Sequence, residues 1–199
     1  MIVRDLDYLR KPCKEVEEQH NVEAMAAALL WELKEYPGCS IAANQAHISY
    51  RVCVIAQGTM MPIVLVNPVI VKQQKPKLVA EACLSLPGIT VSVARFMYVK
   101  VKGMDEKRRK VKYTFTGTQA QAVQHEIDHL DGKLMIDYLS PADREKAEDY
   151  LRKEALKGEK QTKWLQYTAQ AETSLKEQEA QGEAGSAGSD KEEPGHTSP

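Results

Sequence analysis

The residues with the clearest chemistry are His125, Glu126 and His129, within Gln124-His125-Glu126-Ile127-Asp128-His129-Leu130-Asp131-Gly132. On a helix, residues four apart lie on one face, so both imidazoles reach a single metal ion. Glu126 lies between them in sequence and brings a carboxylate to a water on that ion. H-E-x-x-H is the spacing of a metal-dependent hydrolase whose Glu acts as general base. The same residue types are common on solvated helix faces. Two His also do not complete such a site, because a catalytic metal takes about three protein ligands and keeps a position for water. The third ligand therefore decides the reading.

Cys83 is the best candidate, in Glu81-Ala82-Cys83-Leu84-Ser85-Leu86-Pro87-Gly88. A thiolate adds negative charge and a soft donor, which suits Zn or Fe(II). An isolated Cys is more often a buried, inert thiol. This one stands in a loop flanked by Glu81 and Pro87, upstream of the two-His helix. Cys13, Cys39 and Cys53 form no C-x-x-C pair with it or with each other, so a disulfide scaffold is not expected. Cys53 sits in an apolar run and reads as a core thiol.

The elements that must position these groups follow from local pattern. The metal helix is expected from about Thr118 to Leu130, stopped by Gly132. Asn21 caps an earlier helix reaching to about Tyr36, with Pro37-Gly38 ending it. Its Val22, Met25, Ala26, Leu29, Leu30 and Leu33 form a buried stripe. Residues 1–20 read as an irregular arm docked through Leu6, Leu9 and Val16. Gly38–Gln45 is a loop of small residues that lets backbone approach a ligand. Strands are expected at Arg51–Ala56, Pro62–Asn67, Val69–Lys72, Thr90–Ala94, Tyr98–Val101 and Lys110–Phe115, with a solvated tip at Asp105–Arg109. Ser140-Pro141-Ala142-Asp143 starts a last helix to about Leu156.

The chain has 199 residues, a formal net charge of -1 and 43% hydrophobic residues, which suits one globular domain with some chain left over. Residues 1–158 form the expected catalytic domain. Residues 159–199 are polar, and are expected to be largely disordered. Trp164, Leu165 and Tyr167 are the candidates in that stretch for docking back. The near-neutral charge argues against broad electrostatic binding of nucleic acid while leaving room for a local basic patch, and no specific nucleic-acid contact is expected. No apolar run approaches the roughly 20 residues of a membrane span. The first residues lack the order of a signal peptide, so a soluble, cytoplasmic protein is expected.

With these blocks in view, the sequence resembles the peptide deformylases. Gly38–Gln45 is similar to G-x-G-x-A-A-x-Q, Glu81–Pro87 to E-G-C-L-S-x-P, and Gln124–Gly132 matches Q-H-E-x-D-H-L-x-G throughout. The resemblance implies an α+β fold, with small antiparallel β-sheets around a central metal-binding helix and a further helix at each end. It implies one divalent metal, Fe(II) foremost with Zn, Ni or Co as alternatives, held by Cys83, His125 and His129. The activity implied is removal of formyl from the N-terminal Met of nascent peptides, with Glu126 moving the proton. By the same resemblance, the Gln45 amide and the Leu84 backbone N–H serve the tetrahedral oxyanion, Glu81 supports the ligands beside Arg95, and the last helix contacts the ribosome.

The chain departs from the family pattern at Ser40 and Ala82, where Gly is usual, and at Thr118 and Gln121 on the site helix. Ser40 is expected to narrow the cleft or to demand another backbone angle, and Ala82 to shift the loop carrying Leu84. Two rival readings stand beside this one. A metallopeptidase requires a His or Glu ligand downstream of the helix. A deformylase-like binding protein keeps the metal without turnover. His20, His47 and His196 receive no role.

Overall fold

A computed structural model describes residues 1–157, with side chains to residue 154. The expected boundary at residue 158, the polar tail and its apolar docking residues, and His196 lie outside the described residues. Among the described residues there are four α-helices: α1 (Leu6–Leu9), α2 (Val22–Glu32), α3 (Gly117–Leu130) and α4 (Pro141–Lys157). The strands are β1 (Ile41–Ala42), β2 (Val52–Ile55), β3 (Ile63–Cys83), β4 (Leu86–Met104) and β5 (Lys110–Thr116). They pair antiparallel in sequence order, which confirms the α+β class.

The local starts are those the sequence encodes. Asn21 accepts from the Ala24 N–H at 3.0 Å at the head of α2. Ser140 accepts from the Asp143 N–H at 3.2 Å and donates to the Asp143 carboxylate at 2.8 Å, so α4 opens on a reciprocal cap. Helix α2 tightens into a 3₁₀ turn at Leu33–Glu35 before Pro37. The arm is more regular than expected: Asp5 caps α1 by accepting from the N–H groups of Asp7 and Tyr8.

The sheet differs most from expectation. Separate short strands merge into a long hairpin, β3–β4, joined by the Leu84-Ser85 turn. Bulges at Val66/Val69, Ile70/Lys72 and Ala82/Cys83 bend it. Such bulges let one hairpin serve two packing environments. One cluster gathers α2, β1, β2 and α3 with Val99, Val101 and Phe115. A second holds Val3, Leu6 and Leu9 with Leu86, Val91, Val93, Leu134–Ile136 and Leu151. Cys83 belongs to the second cluster while Ile127 and Leu130 of α3 belong to the first, so the candidate ligands meet at the seam. Cys53 is fully buried in the first, as a core thiol.

The tip at Asp105–Arg109 is not merely solvated. Asp105 is buried and accepts from the N–H groups of Lys107 and Arg109 at 3.0 and 2.9 Å. Arg108 donates to the Glu17 carbonyl at 3.0 Å, tying the tip to the arm.

Candidate metal centre

Helix α3 is held at its C-terminal end by the chain that flanks it. The Leu130 carbonyl accepts from the Cys13 N–H at 2.9 Å, and the His129 carbonyl from Asn44 Nδ2 at 2.7 Å. Gly132 turns the chain with φ +74, and a Cβ there would come within 2.4 Å of the Arg10 carbonyl oxygen. Only Gly satisfies both the backbone angle and that approach. Earlier on the helix, Gln124 clamps β4, accepting from the Phe96 N–H at 3.1 Å and donating to its carbonyl at 2.8 Å.

This fixed helix places His125 and His129 with ring centroids 4.9 Å apart. The Ala82/Cys83 bulge immediately precedes the hairpin turn, and Cys83 is buried against the helix. Its sulfur lies 3.2 Å from His129 Nε2. The ligand atoms of Cys83, His125 and His129 all lie within 4.8 Å of one another. That separation and a donor set of one thiolate and two imidazoles fit a tetrahedral Zn or Fe(II) site with one open position. Among the described residues no downstream His or Glu joins this cluster, as a metallopeptidase would require.

Two buried polar atoms here have no hydrogen-bond partner among the described residues, Glu126 Oε2 and His129 Nδ1. Buried polar groups are nearly always satisfied, so an unpartnered carboxylate oxygen beside a ligand cluster marks a place for a reacting molecule. Burial above all raises the Glu126 carboxyl to about 7, with His125 opposing and Glu81 adding. Burial, with His125 and Arg95 nearby, holds His129 well below the usual imidazole range, which keeps a ligand nitrogen free of a proton.

A charged cluster supports the ligands from behind. Arg95 grips Glu81 through two parallel bonds of 2.8 and 2.9 Å and reaches Asp128 at 2.5 Å. Glu81 in turn meets His125 Nδ1 at 3.1 Å, which leaves Nε2 as the nitrogen facing the cluster. Burial works to raise the Glu81 carboxyl, but His125 and Arg95 outweigh it and bring it down to about 2. The side chains of Arg95 and Glu81 are only 4% and 2% exposed, so this is no surface salt bridge. Asp128 anchors Arg95 and accepts from the Tyr138 hydroxyl at 2.9 Å, whose ring lies under the Arg95 guanidinium at 5.1 Å. The Asp128 carboxylate therefore supports the centre through Arg95 and not through a hydrogen bond to a ligand His.

Gln45 is buried. Its oxygen accepts from the Ala42 N–H at 2.9 Å, which aims its nitrogen at Ser85 Oγ (3.1 Å) and Cys83 Sγ (3.5 Å). Leu84 lines the adjoining cleft of about 290 Å³, together with Gly38, Ser40, Gln121 and Ala122. Ser40 keeps a φ outside the left-handed region, and its hydroxyl accepts from the N–H groups of Ala56 and Gln57 at 3.2 and 3.4 Å. Ala82 likewise keeps an ordinary φ. Gln121 donates to the Ala80 carbonyl at 3.0 Å, bridging helix and hairpin at the cleft, while Thr118 is exposed. Asn44 and Tyr138 carry positioning roles that spacing did not reveal. Asn44 lies inside the Gly38–Gln45 block, the only available signal.

Comparisons with known proteins point to one family. The family model described as polypeptide deformylase matches residues 2–145. The peptide deformylase of Xylella fastidiosa (strain 9a5c) is 39% identical over 120 residues, 59% of this chain and 71% of that one. The one from Hydrogenovibrio crunogenus is 36% identical over 149 residues, 73% and 88% of the two chains. The crystal structure of a peptide deformylase from Legionella pneumophila superposes with a TM-score of 0.72 at 35% identity, covering 80% of this chain and 98% of that one. That from Thermus thermophilus gives 0.70 at 31%, covering 79% and 95%.

Proposed function

The chain belongs to the polypeptide deformylase family, whose members remove N-formyl groups from nascent peptides, and we propose that Cys83, His125 and His129 hold the one divalent metal this reaction uses. The observation that carries the reading is the approach of those three donors beside the unpartnered Glu126 oxygen. Fe(II) is the proposed ion in the cell, and the same donors accept Zn, Ni or Co. When bound, such an ion supplies Lewis acidity toward water and a carbonyl oxygen.

The remaining work falls to this chain's own groups. Glu126 takes a proton from the attacking water and returns it to the departing amine, so water and a formamide become formate and a free N-terminus. The Gln45 nitrogen and the Leu84 N–H donate to the oxyanion as the formyl carbon becomes tetrahedral. One such donor is worth roughly 3 kcal/mol of transition-state stabilisation. Arg95, Glu81 and Asp128 move no proton; they hold His125 and α3 in place.

The catalytic unit spans residues 1–158, and its substrates are N-formylmethionyl nascent peptides in the cytoplasm. No helix among the described residues is long and apolar enough to cross a membrane. Contact with the ribosome accompanies such a substrate. Helix α4, singled out for that contact, carries five bases and five acids, so it offers no net charge.

The test is formate release from formyl-Met-Ala-Ser with anaerobic Fe(II), and separately with Zn, comparing wild type with Glu126→Ala. Turnover that falls by at least about a hundredfold is expected for loss of a general base. Turnover unchanged by the substitution would remove Glu126 from the reaction, and none with any metal would favour a binding protein.

A further inference from the structure

The three strands that frame α3 have a second, outer face with a charge pattern the deformylase reaction does not use. Across β3, β4 and β5 the sole acid is Glu81, and it is buried against Arg95. Val99, Val101 and Phe115 point inward to the core, so by strand alternation Tyr98, Lys100, Lys102, Lys112 and Thr114 lie on the opposite face. Register places Lys72 directly opposite Lys100, and Lys102 directly opposite Lys112. None of these four lysines makes an ion pair among the described residues.

Like charges set directly across a ladder disfavour the sheet. Lysines on edge strands have a common explanation, since they discourage pairing with other chains. That explanation covers Lys112 on the edge strand β5, and Lys72, where β3 has run past the residues it pairs with β2. It does not cover Lys100 and Lys102, which lie on β4 with a strand hydrogen-bonded on each side. An unpaired lysine cluster on the outer face at the centre of a sheet is complementary to an anion outside it.

We propose that this lysine face of β3–β4–β5 binds an RNA backbone. Lysines two apart on a strand repeat every ~6.7 Å, and those across the ladder are closer, so the cluster meets several consecutive phosphates. Tyr98 lies on the same face with its ring 6.0 Å from Lys100 Nζ, offering a surface on which a base can stack. The metal centre is on the other side of the sheet, against α3, so bound RNA leaves the cleft open. Helix α4 is the poorer alternative, because Arg144 and Arg152 approach Glu148, and Lys146 pairs with Asp143.

The experiment measures fluorescence anisotropy of a labelled single-stranded RNA oligonucleotide titrated with the full chain. Four phosphate contacts predict affinity about fifty-fold weaker at ~200 mM salt than at ~50 mM. The Lys72→Gln, Lys100→Gln, Lys102→Gln and Lys112→Gln variant should bind at least about tenfold more weakly. It should still release formate from formyl-Met-Ala-Ser at the wild-type rate, which keeps this outcome separate from the deformylase reading. Lys112→Glu alone, at an exposed edge, should also weaken RNA binding should the fourfold variant fold poorly. Arg152→Gln with Lys153→Gln should bind like wild type. The proposal is overturned by no RNA binding at low salt, by unchanged affinity in the lysine variants, or by loss confined to the α4 variant. Polyglutamate displacing the RNA at equal charge would also overturn it.

Discussion

The charged cluster behind the metal centre and the ion pairs along α4 use the same residue types under opposite conditions. At Arg95 a guanidinium almost out of contact with water meets the buried Glu81 carboxylate and the mostly buried Asp128, with the exposed Tyr138 phenol bonded to Asp128 on the outer side. On α4, Lys146 and Asp143 pair at 3.1 Å with side chains 77% and 58% exposed. The first set cannot trade its partners for solvent, so its geometry is fixed and it can aim a ligand His. The second set can trade freely and aims nothing.

Breaking the buried set gives the largest expected effect. Arg95→Leu strands Glu81 and Asp128, and should lower unfolding free energy by about 3–5 kcal/mol in a urea titration. A loss under about 1 kcal/mol would show that these carboxylates find other partners. Tyr138→Phe sharpens the comparison, since it removes one hydroxyl from Asp128 and keeps the ring under Arg95. It should cost about 1 kcal/mol and speed metal loss to a chelator, measured by absorbance of the chelate. Metal leaving at the wild-type rate would separate Tyr138 from the support of His125. Lys146→Ala on α4 should change stability by no more than about 0.5 kcal/mol, read from the same titration.

The same contrast explains what the sequence made legible. Caps at Asn21 and Ser140, the stop at Gly132 and the two-His helix are local signals, written within one or two turns. The middle of β3, from about Gln73 to Val79, is polar, carries Pro76 and is largely exposed, so it lacks strand periodicity. It forms because β4 pairs with it, a non-local cause that composition does not record. The site followed the same division. His125, Glu126 and His129 stand in one motif. The Arg95–Asp128 contact and the Asn44 bond to the His129 carbonyl join segments far apart in sequence, and only the fold brings them together. Ser40 shows a further limit: the structure accommodates its side chain by hydrogen-bonding its hydroxyl to the backbone at Ala56 and Gln57.

The central claim is that a hairpin sulfur and two helix nitrogens hold one ion, and elemental analysis of purified Cys83→Ser tests it most directly. About one equivalent of divalent metal is expected in the wild type and far less in the variant, with α3 still folded by circular dichroism. A variant that retains a full equivalent would contradict it.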